Sequence, residues 1–214
     1  SLARALAGQL AHPRGRYGRW LGRAMDIANR RPMQRAVDLL APAAGETILD
    51  AGCGTGAAMA HMLGRADCRL IGADLSPTMI AAARRRLGAR ARYLTASLAD
   101  LPLPSASLDG VLALNVLYFD DDGQGMLRAM HRLLRGGGRM VAYVTARHTM
   151  EGWAFAREGL HRLYDAGSLR TAFLSAGFAD GLLEIEEVAI GPGIDGLLAR
   201  AGTVSYTHLT LPTS

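Results

Sequence analysis

A glycine-rich turn that follows an acidic residue is the part of this sequence best suited to chemistry. The segment ILDAGCGTGAAMA, residues 48–60, places Gly52, Gly54 and Gly56 directly after an apolar run that ends on Asp50. Glycines allow positive φ angles and let a backbone approach a ligand closely. The helix after such a turn can attract a phosphate to its N-terminus, but the carboxylate of Asp50 repels phosphate and favours a positively charged ligand.

A second acidic residue ends the next predicted strand. Asp74 follows the strand predicted at residues 69–73, and a carboxylate at this position can accept hydrogen bonds from both hydroxyls of a ribose. Ligands of an open parallel sheet bind beyond the carboxyl ends of its strands, so we expect Asp50 and Asp74 to face one ligand. A ribose together with a cation, and without a phosphate, describes S-adenosylmethionine.

Alternating strands and helices are expected to position these residues. The strands are predicted at residues 46–50, 69–73, 92–95, 108–114 and 139–145, with a closing hairpin at 182–190 and 194–199. The helices are predicted at 17–40, interrupted at Pro32, and at 56–63, 77–87, 123–134 and 168–175. The glycines at 136–138 are predicted to end the helix over 123–134 before the fifth strand. This order predicts an α/β fold, a doubly wound, mostly parallel seven-stranded sheet with helices on both faces and an antiparallel last strand.

Three segments are expected along the chain. Residues 1–41 form an arginine-rich helical segment that closes over the site, residues 42–203 form the ligand-binding domain, and residues 204–214 lie outside the pattern. The last segment, VSYTHLTLPTS, resembles the translation of a sequencing-library adapter, so Tyr206 and His208 receive no functional weight.

The composition indicates one domain with an ordinary core. Of the 214 residues, 50% are hydrophobic, and no apolar run reaches the roughly 18 residues that a membrane helix needs. The two cysteines, Cys53 and Cys68, argue against a disulfide framework and for a reducing compartment. We therefore expect a cytoplasmic protein.

The charge of the chain comes from arginine, because none of its 24 basic residues is lysine. Together with the abundant alanine and glycine, this is typical of a GC-rich bacterial genome. A net charge of +5 suggests nucleic acid as a partner, but the compositional bias weakens that inference. The first 35 residues contain eight arginines and a single acid, Asp26. A solvated helical face is favoured for this segment over an anion or membrane contact.

Five separated motifs resemble those of the class I S-adenosylmethionine-dependent methyltransferases. ILDAGCGTG resembles the acidic glycine-rich first motif, and IGADLSPTMI resembles the second, with Asp74 at the ribose position. The other three, ADLPLPSASLDGVLALNVLYF, LLRGGGRMVAYV and LRTAFLSAGF, resemble the fourth-strand region, the turn into the fifth strand and the helix before the last hairpin. Their order looks most like the ubiquinone and menaquinone biosynthesis group, methyltransferase type 11, whose members commonly modify small molecules.

The resemblance implies a set of residues that bind the cofactor S-adenosylmethionine. Asp50 and the glycine turn would hold the methionine part, Asp74 the ribose, and Leu75 and Met79 would pack against adenine. Ser97 stands where relatives often have Asp, so its bond to the adenine amino group would be weaker. The full implied set is Asp50, Gly52, Cys53, Gly54, Thr55, Gly56, Asp74, Leu75, Met79, Ser97, Leu98 and Asn115.

Methyl transfer is an in-line displacement, so we expect positioning to matter more than acid–base groups. Asn115, at the end of the fourth strand, would lie near the transferred methyl group. A base is needed only when the acceptor arrives protonated, and the candidates are Tyr118, His148 and His161. The cysteines, histidines and acids lack metal-ligand spacing, so no metal is expected.

The acceptor is expected to be a small, partly apolar molecule, with Trp20, Met25, Trp153 and Phe155 as an apolar wall. No specific nucleic-acid partner is expected, although the basic N-terminal segment keeps an RNA or protein methyltransferase as an alternative. A nicotinamide-dependent oxidoreductase is a second alternative, because GCGTGA also satisfies G-x-G-x-x-A. Asp50 and the antiparallel hairpin disfavour it. The oligomeric state and the type of atom methylated stay open.

Overall fold

The structure is a computed structural model, and it describes residues 29–122, 124–153, 156 and 162–205. Several sequence predictions lie outside these residues, namely the helix over 17–28, the arginines before residue 29, Trp20, Met25, Phe155, the candidate base His161, and the tail from residue 206.

The described chain alternates helices and strands in the predicted order. The helices are α1 (Arg30–Leu40), α2 (Ala57–Leu63), α3 (Pro77–Leu87), α4 (Gly125–Leu133), the single turn α5 (Arg147–Met150) and α6 (Ala166–Ser175). The strands are β1 (Thr47–Ala51), β2 (Arg69–Asp74), β3 (Ala91–Thr95), β4 (Leu108–Leu114), β5 (Leu134–Thr145), β6 (Leu183–Gly191) and β7 (Ile194–Gly202). Within these residues, no helix combines the length and the apolar character that crossing a bilayer requires.

The described strands form one seven-stranded sheet in the order β3-β2-β1-β4-β5-β7-β6. β1 pairs in parallel with β2 and β4, while β7 runs antiparallel to both β5 and β6. The strand order reverses at β1, and ligands of doubly wound sheets bind at such a switch point. The observed sheet confirms the predicted fold class.

Side chains of the central strands alternate between two apolar layers. In β1, Ile48 packs with residues of α1, α2 and α3, while Leu49 packs with residues of α4 and α6. In β4, Leu112 and Val111 divide between the layers in the same way. Because helices cover both faces of the sheet, these strands read as nearly continuous apolar runs.

The fifth strand begins earlier than the sequence predicts. The glycines at 136–138 are predicted to end the preceding helix before a strand at 139–145. The helix does end, at Leu133, but β5 starts at Leu134 and continues through the glycines, with irregular pairing to β4 between Leu134 and Arg139. A Cβ on Gly138 would lie 2.9 Å from the carbonyl oxygen of Arg135 and 3.2 Å from that of Asp109. Glycine at position 138 thus lets the backbone approach two carbonyl groups closely. The sequence prediction of a helix-ending glycine run misses this role.

Helix α6 begins at Ala166, two residues before its predicted start. The side chain of Asp165 accepts a hydrogen bond from the N–H of Ser168 at 2.8 Å, and Oγ of Ser168 accepts one from the N–H of Asp165 at 3.0 Å. This reciprocal capping box satisfies N–H groups that have no partner within the helix, so it sets the start of α6.

Arg139 joins three elements near the start of β1. Its guanidinium donates to both carboxylate oxygens of Glu46, at 2.7 and 2.8 Å, and to the carbonyl oxygens of Leu40 and Ala41, at 2.7 and 2.8 Å. The two charged side chains are only 14% and 19% exposed. The hydrogen bonds from Arg139 hold the pKa of Glu46 below its usual range. The end of α1 is therefore fixed to β1 and β5.

Replacing Arg139 with leucine should destabilise the fold by about 2–4 kcal/mol, because the Glu46 carboxylate would stay mostly buried without its partner. Urea denaturation at neutral pH measures this free energy of unfolding. The difference from the parent should shrink in acid, since a carboxyl whose pKa is lowered by folding loses its contribution as the pH falls through that pKa.

The matched control is Arg65→Leu, which breaks the exposed pair of Arg65 with Asp38. This control should cost no more than about 1 kcal/mol, as exposed ion pairs contribute little. Equal losses for the two variants would contradict the role given to Arg139.

Candidate functional site

The carboxyl ends of β1, β2 and β4 bring three predicted site residues to one edge of the sheet. Ala51, the last residue of β1, pairs with Ala73 of β2 and with Ala113 of β4. Asp74 and Asn115 follow these two partners closely in the sequence. Because parallel strands end at the same edge, Asp50, Asp74 and Asn115 lie at neighbouring strand ends.

The glycine turn is held against the end of β2 by hydrogen bonds. The N–H of Gly52 donates to the carbonyl oxygen of Ala73 at 2.8 Å. The N–H of Gly54 donates to Oδ2 of Asp74 at 3.0 Å, and the N–H of Ser76 donates to Oδ1 of the same carboxylate at 2.8 Å. Asp74 therefore positions the turn relative to the start of α3, in addition to its predicted contact with ribose.

The three glycines of the turn have φ angles between 51° and 80°, but their surroundings differ. A Cβ on Gly52 would lie 2.1 Å from Cγ1 of Val116, and a Cβ on Gly56 would lie 3.0 Å from Cδ1 of Leu87. At Gly54, no described atom lies within 4 Å of the Cβ position. Gly52 and Gly56 thus serve close packing, while Gly54 gives the turn an open face that a ligand can approach.

Asp50 is buried at the end of β1, with 2% of its surface exposed. Among the described residues, its Oδ2 has no hydrogen-bond partner. Burial, and then the charge of Asp74, raises the pKa of Asp50 from 3.8 to about 7. A buried acceptor without a donor is costly, and a cationic or N–H group of a ligand would satisfy it. The site therefore suits a positively charged ligand.

The residues predicted to contact adenine differ in exposure. Leu75 exposes 51% of its surface directly after Asp74, so an apolar ring could cover it. Ser97 is also exposed, whereas Met79 and Leu98 are only 3% and 7% exposed. Leu98 can therefore offer a ligand its backbone, and Met79 offers little side-chain surface.

Thr55 and Cys53 have partners within the protein. Oγ1 of the buried Thr55 accepts a hydrogen bond from Nη1 of Arg86 at 2.9 Å. Cys53 is buried, and burial raises the pKa of its thiol. A Cβ on Gly72 of β2 would lie 3.0 Å from Sγ of Cys53. Both side chains hold the turn in place, so a cofactor contact by these residues would come from their backbone.

The amide of Asn115 is fixed by hydrogen bonds on both sides. Its Oδ1 accepts from the hydroxyl of Tyr118 at 2.7 Å, and its Nδ2 donates to Oδ1 of Asn29, before α1, at 2.9 Å. The hydroxyl of Tyr118 also accepts from the N–H of Thr145 at the end of β5. Sequence reasoning missed Asn29, because no motif marks it and Asn115 lies 86 residues away.

The candidate bases occupy different environments. Tyr118 is 6% exposed, and burial raises the pKa of its phenol. Its two hydrogen bonds suit a positioning role better than proton removal at neutral pH. His148 is exposed, and its Nε2 lies 2.9 Å from Oδ2 of Asp195, which raises the pKa of the imidazole.

His148 also belongs to a cluster that the sequence does not reveal. Its Nε2 lies 3.9 Å from Oε1 of Glu187, and donor atoms of His148, Glu187 and Asp195 lie within 4.8 Å of one another. The three residues are distant in sequence and show no metal-ligand spacing, which is why no metal is expected from sequence alone. The pairing of β6 with β7 brings the two acids together.

Residues 49–142 match a family model described as a methyltransferase domain. A demethylmenaquinone methyltransferase of Tropheryma whipplei (strain Twist) is 38% identical over 108 residues, which are 50% of this chain and 44% of that protein. The chain spans between 39% and 46% of the length of the first curated relatives that it matches.

Solved structures share the fold at low sequence identity. A chain in the complex between the Haloferax volcanii Trm112 methyltransferase activator and a methyltransferase aligns with a TM-score of 0.74 at 20% identity, covering 87% of this chain and 94% of that chain. Burkholderia thailandensis 1,6-didemethyltoxoflavin-N1-methyltransferase, solved with 1,6-didemethyltoxoflavin and S-adenosylhomocysteine, aligns with a TM-score of 0.65 at 22% identity, covering 88% and 89%. At these identities the likeness extends to the fold alone.

The raised pKa of Asp50 predicts an unusual dependence of stability on pH. Stability from this carboxyl is fully present below its unfolded pKa of 3.8 and is lost as the pH rises through about 7. Asp50→Asn removes the titration, so its free energy of unfolding relative to the parent should rise by up to about 4 kcal/mol between about pH 4 and pH 8. Denaturant unfolding of the ligand-free chains across this range measures the slope.

Asp67→Asn serves as the control, since it removes the same charge at an exposed position. A constant difference between Asp50→Asn and the parent across the range would contradict the raised pKa. The slope is the readout because the amide that replaces the carboxyl adds a cost that does not vary with pH.

Proposed function

We propose that this chain, which carries a class I S-adenosylmethionine-dependent methyltransferase domain, transfers the methyl group of S-adenosylmethionine to a small-molecule acceptor. The observation that carries the proposal is the pair of carboxylates, Asp50 and Asp74, on either side of a glycine turn with an open face. The family match over residues 49–142 spans this turn, both carboxylates and the end of β4.

The residues at the switch point suit each part of S-adenosylmethionine. Oδ2 of Asp50, buried and without a hydrogen-bond partner in the described chain, suits the positively charged methionine part. The carboxylate of Asp74 suits the two ribose hydroxyls, and the exposed Leu75 suits the face of the adenine ring. The open backbone at Gly54 leaves room for close approach.

The chemistry requires positioning more than proton transfer. S-adenosylmethionine supplies a methyl group already activated by its sulfonium charge. Holding two reactants in line can supply about 7–11 kcal/mol of the barrier. Asn115 suits this task, because Asn29 and Tyr118 fix its amide at the end of β4. We assign Asn115 to orienting a polar group of the acceptor, and Tyr118 to holding Asn115.

The acceptor is a small, partly apolar molecule. Asn115, held by Tyr118, supplies a polar amide, and Trp153, after α5, packs half-buried against the core. An apolar wall with a few fixed polar groups is usual for small-ligand sites. The curated relative from Tropheryma whipplei and the structural neighbour from Burkholderia thailandensis are named for small-molecule substrates.

The alternatives are not favoured by these observations. The matched domain is that of methyltransferases, which argues against a nicotinamide-dependent oxidoreductase. Two arginines of the basic N-terminal segment contact the chain itself. Nη1 of Arg31 donates to the carbonyl oxygen of Ile190 at 3.4 Å, and Arg35 lies 3.8 Å from Glu186. These contacts support a structural role for the described part of that segment rather than RNA binding.

Methyl-labelled S-adenosylmethionine, incubated with the full chain and pooled metabolites, tests the proposed function. We expect label in a low-molecular-weight product and none in added RNA or protein. RNA binding seen at low salt should disappear near physiological ionic strength, because nonspecific phosphate contacts are strongly salt-dependent. Salt-resistant RNA binding together with labelled RNA would favour the nucleic-acid alternative.

Asp74→Ala should weaken binding of S-adenosylhomocysteine by about 1.5–3 kcal/mol, the range for hydrogen bonds to a charged group. Calorimetry measures this loss, and Asp100→Ala, which removes an exposed acid, is the control. Circular dichroism shows whether the variant keeps its fold, since Asp74 also holds Gly54 and Ser76. Tight binding of NAD with no binding of S-adenosylhomocysteine would overturn the cofactor assignment.

Tyr118→Phe should lower kcat for the acceptor found in the screen by roughly tenfold or more, because the amide of Asn115 loses the hydroxyl that orients it. The affinity for S-adenosylhomocysteine should stay within about twofold of the parent, as Tyr118 acts on the acceptor side. Phe119→Leu changes the adjacent aromatic residue and provides the control. Unchanged turnover in Tyr118→Phe would show that the hydroxyl does not position Asn115 for catalysis.

A further inference from the structure

Three side chains from three elements converge where β5 ends and β7 begins. α5 carries His148, β6 carries Glu187, and β7 carries Asp195 near its start. Nε2 of His148 lies 2.9 Å from Oδ2 of Asp195 and 3.9 Å from Oε1 of Glu187. One imidazole nitrogen and one oxygen of each carboxylate therefore lie within 4.8 Å of one another.

The backbone holds Asp195 firmly against α5. The N–H of Ala146 donates to the carbonyl oxygen of Asp195 at 2.9 Å, and the N–H of Asp195 donates to Oγ1 of Thr149 at 3.1 Å. The next residue, Gly196, packs on Tyr143 so closely that a Cβ would lie 2.3 Å from Cε2 of the ring. The carboxylate of Asp195 thus stands on anchored backbone, as a preorganised site requires.

The cluster concentrates negative charge. In the described part of the chain, the ionic contacts of Glu187 and Asp195 are both with His148. The adjacent Arg147 pairs with Asp165 instead. With a neutral imidazole, the cluster carries two negative charges, which one divalent cation would balance.

We propose that His148, Glu187 and Asp195 bind a divalent metal ion of the zinc type, through Nε2 and one oxygen of each carboxylate. Imidazole with carboxylates is a common zinc donor set, and water can fill the remaining positions because the side chains are 58%, 58% and 38% exposed. Donor atoms around tetrahedral zinc lie about 3.3 Å apart. Nε2 of His148 lies 2.9 and 3.9 Å from the two carboxylate oxygens, and no two donor atoms are more than 4.8 Å apart, so rotation of these exposed side chains brings them to zinc-binding distances.

The test titrates zinc chloride into the tag-free full chain in competition with a chromogenic chelator. We expect one bound equivalent, and a loss of affinity of at least about tenfold in each of His148→Ala, Glu187→Gln and Asp195→Asn, since even outer-shell partners of a metal contribute about 10–100-fold. Glu186→Gln is the matched control, because it removes the neighbouring negative charge on β6. The carboxylate of Glu186 lies 3.8 Å from Arg35. This control should bind zinc as the parent does.

X-ray absorption at the zinc edge of the unmodified chain gives a second readout that does not depend on any variant folding. Nitrogen and oxygen ligands without sulfur support the site. Sulfur ligation would place the metal on Cys53 or Cys68, and undiminished binding in all three variants would place it on other histidines. Either result, or the absence of bound zinc in the parent, would overturn the proposal. The test is independent of methyl transfer, so it separates this site from the proposed function.

Discussion

The burial of Asp50 beside Asp74 is the constraint on which the candidate site depends. β1 is paired on both sides, so its last residues are cut off from water, yet one of them carries a carboxyl group. Burial and the second carboxylate raise the pKa of Asp50 to about 7. Burial of this carboxyl group lowers the stability of the fold, and the surrounding sheet with its two apolar layers offsets that loss. A cationic ligand that binds the folded state would reduce the loss. Folding and ligand binding are therefore coupled at Asp50.

The glycine turn shows how one short segment combines packing with binding. A side chain on Gly52 would overlap Val116 and one on Gly56 would be crowded by Leu87, and both residues have positive φ angles, whereas Gly54 faces open space. Asp74 fixes the same turn by accepting a hydrogen bond from Gly54. Residues that resemble a binding motif thus perform a structural task as well. A loss of affinity after their substitution has two physical sources, which only a separate measurement of stability can distinguish.

Positioning at the end of β4 depends on contacts between distant segments. Asn29 and Tyr118 hold the amide of Asn115 from opposite sides, and Thr145 ties Tyr118 to the end of β5. The residue before α1 is therefore part of the same hydrogen-bonded group as two strand ends. This arrangement agrees with a reaction in which alignment contributes more than proton transfer.

The local pattern of the sequence determined the fold class, the parallel direction of most strands and the position of the glycine turn between Asp50 and Asp74. Apolar runs, helical periodicity and positive-φ glycines are short-range properties, so they can be read before any tertiary contact is known. The start of the fifth strand was predicted too late, because the glycines at 136–138 lie within β5, where Gly138 allows a close approach to the carbonyl oxygens of Arg135 and Asp109. The tertiary structure decided the partner of Asn115, the burial of Asp50 and the convergence of His148 with Asp195. These features arise from strand pairing and burial between residues far apart in the chain, and no local spacing encodes them.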